Sequence, residues 1–325
     1  MAEQAYRQKT YIGFALDPIH IGTGNDQLGR VDNPIIRDPV SNLPKLPASS
    51  ISGVTKAYAT LHFSDRYFRE HGKRDSKLCA ENIKERYCAE PECPVCVTFG
   101  FAAGEKRRAP EGLIGMSQFF DGQILFFPVH SMFGTVWVTS PNTLSELAKA
   151  NFIAEADVNT KLAPSSNKLQ TAVQSKQLNL GWLLLDVEYR ESPLLAGAVQ
   201  VMKQTGVNET ILNSLVLVSD KLFSQVVNSN LEIRTSTSID PLTGASKEGA
   251  LFTFETIPRT TVFSFSIVYK DPRNFKLGEN YLTQDIDWVM KNVETGLSYC
   301  QYFGIGGMTT RGMGRLQVLN LSEKS

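Results

Sequence analysis

The sequence predicts an α+β fold, and three observations lead there. Segments with strand patterning and segments with helical patterning are interspersed along the 325 residues without strict βα alternation. A composition of 42% apolar and 20% charged residues suits a soluble globular chain that buries a real core as one large or two modest domains. No run approaches the roughly 18 apolar residues of a membrane span. "MAEQAYRQKTYIGFAL" also lacks a long apolar signal region, so a cytoplasmic protein with no membrane partner is expected.

Taken in order, "KTYIGFAL" (9–16) alternates and carries β-branched and aromatic residues, which makes it a strand. "SSISGVTKAYATLHF" (49–63) opens with serines able to cap, and Val54, Ala57, Tyr58 and Leu61 recur at helical spacing. Residues 64–112 are charged, cysteine-bearing and marked by Gly and Pro, and read as an insertion outside the main core that folds around a metal. "IGMSQFF" and "ILFFPV" flank Asp121-Gly122, a hairpin signal, and "GTVWVTS" continues as a strand. Ser140 followed by Pro141 starts a helix. The polar stretch 155–177 reads as loop, "GWLLLDVEY" as strand and "PLLAGAVQVMKQTG" as helix. "SLVLVSDKLFSQVV" is a buried strand and then a helix capped by Ser219 or Asp220. Residues 231–258 alternate around "DPLTGASKEG" as a long projecting hairpin. A strand (261–269), a helix (283–300), a glycine-rich loop (304–315) and a last strand complete the chain.

Lys plus Arg equals Asp plus Glu at 33 each, so net charge carries no nucleic-acid signal and any basic surface is local. Four of the five cysteines, Cys79, Cys88, Cys93 and Cys96, crowd into one segment. Without a secretion signal, thiolates at C-x4-C-x2-C spacing point to a structural Zn²⁺ rather than to disulfides. The fourth ligand is Cys79, His71 or His62, since Zn²⁺ accepts either sulfur or imidazole nitrogen.

The loop "GIGGMTTRGMGR" has five glycines in twelve residues. No lysine follows as a Walker loop demands, and a helix precedes and a strand follows it, the reverse of a Rossmann fingerprint. What remains is backbone N–H groups that approach a polyanion closely at Gly306, Gly307 and Gly312, with Arg311 and Arg315 as forked donors for phosphate.

As a set, "LDPIHIGTG", "DNPIIRDPVSNLPKLPASSISG", "FFPVHSMFGTVWVTSP" and the glycine-rich loop resemble the RAMP superfamily of CRISPR proteins. The chain looks like the repeating backbone subunit of type III effector complexes, of the Cmr or Csm kind, with "LFFPVHSMFGTVWVTSP" favouring Cmr. The resemblance runs from residue 9 to 318. It implies a single domain over 1–325, with a ferredoxin-like, RNA-recognition-motif core and insertions at 64–112 (zinc knuckle) and 230–260 (a thumb hairpin that interrupts guide–target pairing by displacing a base). It also implies partners: guide RNA, single-stranded target RNA, copies of the same chain and other effector subunits. The family's "PGSSLKG" helix start corresponds to Pro47 to Gly53, with Ser49 and Ser50 as guide contacts; Ser52 replaces the lysine, and Lys56 follows on the same helix. Basic family positions near "PVHSMFG" are His130 and Phe133. The family's cleavage residue is the aspartate of the "DNP" loop, here Asp32.

On that assignment Asp32 orients or deprotonates a ribose 2′-hydroxyl, or holds Mg²⁺ or Mn²⁺ at the phosphate, and His20 assists. Without it, Asp-Asn-Pro is an ordinary turn, and Asp26 and Asp38 are turn or salt-bridge residues. A non-catalytic guide-binding scaffold of the same complex is the alternative function.

Overall fold

Two long alternating strands form the spine. β1 (Tyr6–Ala15) lies antiparallel to Val262–Lys270, from Tyr6 opposite Lys270 to Phe14 opposite Val262. Alternation puts Tyr11, Phe263, Phe265, Ile267 and Tyr269 into one buried cluster, while Gln8, Thr10, Ser264 and Ser266 line, with Phe119 and Phe120, a groove of about 680 Å³.

The computed structural model describes residues 5–24, 31–63, 90–102, 112–149, 168–171, 173, 175–188, 193–246 and 250–322. After β1 come β2 (Lys45–Leu46), α1 (Ala48–His62), α2 (Pro94–Phe99), β3 (Ser117–Phe119), β4 (Gly122–Ser131), β5 (Gly134–Thr139), α3 (Pro141–Lys149) and β6 (Lys168–Thr171). Next are β7 (Gln177–Leu180), β8 (Leu183–Val187), α4 (Pro193–Thr205), α5 (Glu209–Leu212), β9 (Leu215–Leu217), α6 (Asp220–Ser229), β10 (Glu232–Ser236) and β11 (Phe252–Thr256). The chain ends with β12 (Val262–Lys270), β13 (Lys276–Leu277), β14 (Asn280–Tyr281), α7 (Ile286–Ser298), α8 (Cys300–Phe303) and β15 (Leu316–Val318).

The α+β class holds. The main sheet runs β15-β1-β12-β4-β5-β9-β6-β8-β7. Its first four strands, with α1 after β1 and α7 before β15, follow the β-α-β-β-α-β order of the ferredoxin-like plan. Helices α1 and α7 cross closely because residue 296 is glycine: a Cβ there would lie 2.3 Å from the Thr55 carbonyl oxygen. Further along, β4 buries Leu125, Phe126 and Phe127 in succession, the run of a strand covered on both faces. Leu144, Ala198, Met202 and Ile211 cover one face, and Leu222, Phe223, Val226 and Val227 of α6 join the cluster on the other. Ser219 caps α6, its hydroxyl accepting from Leu222 N. β10 and β11 pair as a separate two-stranded hairpin. Among the described residues no helix is long and apolar enough to cross a membrane.

Four local expectations are corrected. Asp121-Gly122 is not a hairpin turn: β3 and β4 both pair with β12, as successive pieces along one edge. A two-residue type I′ turn needs positive φ at both central residues, and Gly122 is not in that region. The β4–β5 hairpin turns instead at Met132-Phe133, with Gly134 at φ 94°. Residues 168–171 form a strand, not loop; polar side chains hid it, and the Thr171 hydroxyl bonds Leu215 O at 2.9 Å.

The serines of α1 do not cap it. The N-cap is Pro47, and Asp121 accepts from Ala48 N at 2.7 Å and from Lys45 at 2.6 Å. Finally, the segment 93–101 lies in the main core rather than outside it, since Cys93, Cys96, Val97 and Phe101 are all buried in the principal cluster. A thiol packs like a small hydrophobe, and the charge of the preceding residues masked this apolar run.

Candidate functional site

Strand β11 gives one edge to β10 and the other to the loop that carries Asp32. Along that second edge Asn33 N donates to Thr253 O at 3.0 Å, and Glu255 N to Asn33 O at 3.1 Å. Asp32 lies at the start of this seam. Its Oδ2 accepts from Thr253 N at 2.7 Å and from the Thr253 hydroxyl at 2.9 Å. The backbone donor first, then the hydroxyl, hold the Asp32 carboxyl below the usual carboxylate range against a small opposing desolvation. The side chain is exposed and ionised at neutral pH.

The far end of the loop is clasped by Glu255. Its carboxylate accepts from Ile35 N at 3.2 Å and pairs with Arg37 at 3.0 Å; Arg37 also donates to Asn228 Oδ1 at 2.9 Å. Asp38 is a turn residue, its Oδ1 accepting from Val40 N and Ser41 N. Asp26 lies outside the described residues.

His20 joins this loop to the glycine-rich one. Its buried ring donates from Nδ1 to Glu255 O at 2.7 Å, which fixes the tautomer, and meets Phe254 edge-on. Its own carbonyl accepts from Gly307 N at 2.8 Å. Gly306, at φ 86°, packs so closely that a Cβ would lie 2.3 Å from His20 O. The loop is closed on itself by Ile305 N to Gly314 O at 2.8 Å and tied to α1 by Tyr58, whose hydroxyl donates to Gly304 O at 2.6 Å.

The two arginines differ. Arg311 is exposed and its guanidinium has no hydrogen bond or ion pair among the described residues, whereas Arg315 forks onto Asp17 at 2.5 and 3.1 Å. That pair raises Arg315 and holds the Asp17 carboxyl low. On α1, Ser49 is exposed, Ser50 half-buried, and Lys56 reaches Gly100 O at 3.2 Å.

Residues 15–317 match the family model of the RAMP superfamily. The chain belongs to that superfamily. A protein of Pyrococcus furiosus named CRISPR system Cmr endoribonuclease Cmr4 is 28% identical over 316 residues, 94% of this chain and 92% of that one. CRISPR system Cms endoribonuclease Csm3 of Methanothermobacter thermautotrophicus is 37% identical over 87 residues, 26% of this chain and 29% of the relative. Among solved structures, Type III-B Cmr-beta bound to cognate target RNA superimposes with TM-score 0.64 at 16% identity, covering 97% of this chain and 98% of that one. Oligomeric Cmr4 from Pyrococcus furiosus gives 0.59 at 20%, covering 98% and 100%. These structures share the fold of this RAMP chain.

The structure thus brings Asp32, His20 and the glycine-rich loop to one seam, centred on β11 and His20. Thr253, Glu255 and Asp17 were not singled out by sequence; their partners are more than 200 residues away, so no local pattern could mark them. Of the cysteines, Cys93 and Cys96 are buried, with Cys96 N donating to Cys93 Sγ at 3.4 Å, and Cys79 and Cys88 lie outside the described residues. His62 is hydrogen-bonded to the Tyr299 hydroxyl at 3.0 Å, and His71 lies outside the described residues.

Proposed function

We propose that this RAMP chain is a backbone subunit of a type III CRISPR effector complex, repeated along a guide RNA and cleaving complementary target RNA with Asp32. The observation that carries the reading is an exposed, ionised carboxylate fixed against a hairpin strand, in a chain aligned over 94% of its length with a relative named an endoribonuclease. The full-length match to the Cmr relative, against the partial one to Csm3, favours the Cmr kind. Guide phosphates lie against the start of α1, at Ser49, Ser50 and Lys56, and against Gly306, Arg311 and Gly312, with Arg315 joining when it leaves Asp17; the Gly307 N–H, expected to meet phosphate, is instead given to His20 O, so Gly307 contributes only close approach of the backbone. Other copies of the chain and further effector subunits complete the assembly.

In the reaction the 2′-oxygen of the target ribose forms a bond to phosphorus while the bond from phosphorus to the 5′-oxygen breaks. The 2′-proton leaves through Asp32 or an adjacent water, and the 5′-oxygen takes up a proton, leaving a 2′,3′-cyclic phosphate and a 5′-hydroxyl. Because its carboxyl is held low, Asp32 is a weak base and acts chiefly by accepting a hydrogen bond from the 2′-hydroxyl, which orients that oxygen toward phosphorus and draws its proton away as the new bond forms. His20 joins the two loops. A Mg²⁺ or Mn²⁺ ion at the site would take Asp32 as a ligand. Such an ion supplies charge neutralisation at the phosphoryl oxygens. The C-x4-C-x2-C spacing supports a structural Zn²⁺ held by Cys93 and Cys96 together with Cys79 and Cys88.

The test uses the purified complex, loaded with guide and incubated with end-labelled complementary RNA and Mg²⁺. Regularly spaced cuts are expected; target retained intact at full occupancy would make the subunit a scaffold and overturn the cleavage reading.

A further inference from the structure

The hydrogen bonds of Asp32 are asymmetric. Both donors of Thr253 fall on Oδ2, and Oδ1 carries no hydrogen bond among the described residues. The Thr253 hydroxyl also accepts from Asp32 N at 3.2 Å, so it donates to the carboxylate and accepts from the same residue's backbone. A hydroxyl is the side-chain group that does both on a short, stiff stem, and the β-branch of threonine restricts its rotamer.

Every outward-facing polar group of β11 at 253 and 255 is accounted for. Thr253 N goes to Asp32 and Thr253 O to Asn33; Glu255 N goes to Asn33 and Glu255 O to His20. The Glu255 carboxylate holds Ile35 N and Arg37. Apart from Asp32 N, which donates to the Thr253 hydroxyl, the loop backbone is secured without that hydroxyl, and what the hydroxyl adds is the placement of Asp32 and its carboxylate.

We propose that Thr253 is a positioning residue for target-RNA cleavage, holding the Asp32 carboxylate by Oδ2 so that Oδ1 is left to meet the ribose 2′-hydroxyl. The proposal rests on the cleavage reading above. It places the control of the acid on the hairpin strand β11 rather than on the loop that carries it. A carboxylate anchored through one oxygen keeps the other aimed, and a misplacement of about 1 Å in a reacting group can lower a rate about 100-fold.

The experiment compares Thr253→Val and Thr253→Ser with the unaltered chain and with Asp32→Asn, each in the assembled, guide-loaded complex. Single-turnover cleavage and target affinity are measured separately. Thr253→Val keeps the backbone donor and the side-chain shape, and should cut about ten-fold or more slowly with target affinity unchanged. Thr253→Ser retains the hydroxyl and should recover most of the rate. Thr253→Ala removes the same hydroxyl with less crowding and serves as the second variant if Thr253→Val does not assemble. Full-rate cutting by Thr253→Val or Thr253→Ala while Asp32→Asn is inactive overturns the positioning role and leaves the cleavage reading intact. A serine variant as slow as valine, or a rate loss matched by an equal loss of target affinity, also overturns it. Undiminished cutting by Asp32→Asn overturns both.

Discussion

The loop carrying Asp32 and the loop carrying Arg311 both anchor at residues 20–23, yet they treat their charged side chains in opposite ways. In the first, Ile36 N bonds Ile21 O at 2.9 Å, and the acid itself is tied to Thr253 through one oxygen. In the second, the backbone is fixed by Gly307 N to His20 O and Ile305 N to Gly314 O, while Arg311 extends without a side-chain partner among the described residues. The contrast follows from what each charge is proposed to do. A reacting carboxylate gains from a fixed position, because misplacement acts on the barrier. A phosphate contact on a flexible strand needs charge and a backbone that allows close approach, and its orientation matters less. Arg315 is the intermediate case, with the same chemistry as Arg311 but held by Asp17.

The largest stability effect should come from filling the space where the two loops touch. Gly306→Ala places a Cβ 2.3 Å from His20 O at φ 86°, so backbone must shift. The expected loss is about 1–3 kcal/mol, read as a lower Tm together with weaker guide binding. An unchanged Tm would show that the loop is not fixed as described. Next, Glu255→Ala removes the clasp on Ile35 N and Arg37 and leaves the guanidinium with the Asn228 and Ile35 oxygens. A loss of about 1–2 kcal/mol is expected, discounted for partial exposure. Cleavage should fall more than guide affinity, and an equal fall in both would erase the distinction between the loops.

The smallest effects are the most discriminating. Arg311→Ala should flatten the slope of log K against log salt for guide RNA by about 0.7, alike for every guide sequence. Arg315→Ala should change it less, because that guanidinium is engaged by Asp17. Asp17→Asn frees Arg315 and should steepen the slope by up to about 0.7. Equal slopes in all three variants would return the loop to an ordinary turn with solvated arginines.

Much of this arrangement was legible in the sequence wherever the signal is local. The alternation of β1 and β12, the hairpin around "DPLTGASKEG" and the Ser219 cap all act over a few residues, and each reads correctly. Pairings across the chain were not legible. Asp121 looked like half of a turn because its real partner, the start of α1, is 73 residues earlier. Thr253 looked like the solvent face of an alternating strand, and nothing near it marks a partner 221 residues away. Arg315 looked as open as Arg311 because Asp17 is 298 residues distant. Within the site, the sequence indicated which residue types were present; the fold determined which charges were already partnered.

The most direct test measures single-turnover target cleavage and the salt dependence of guide binding side by side for Asp32→Asn and Arg311→Ala in the assembled complex. Asp32→Asn preserves shape and an acceptor for Thr253 while removing the charge. It should lose at least about 100-fold in cleavage with guide affinity and salt slope unchanged, whereas Arg311→Ala should flatten the slope and keep the cleavage rate at saturating guide and target. An Asp32→Asn complex that cuts at the unaltered rate would contradict the account.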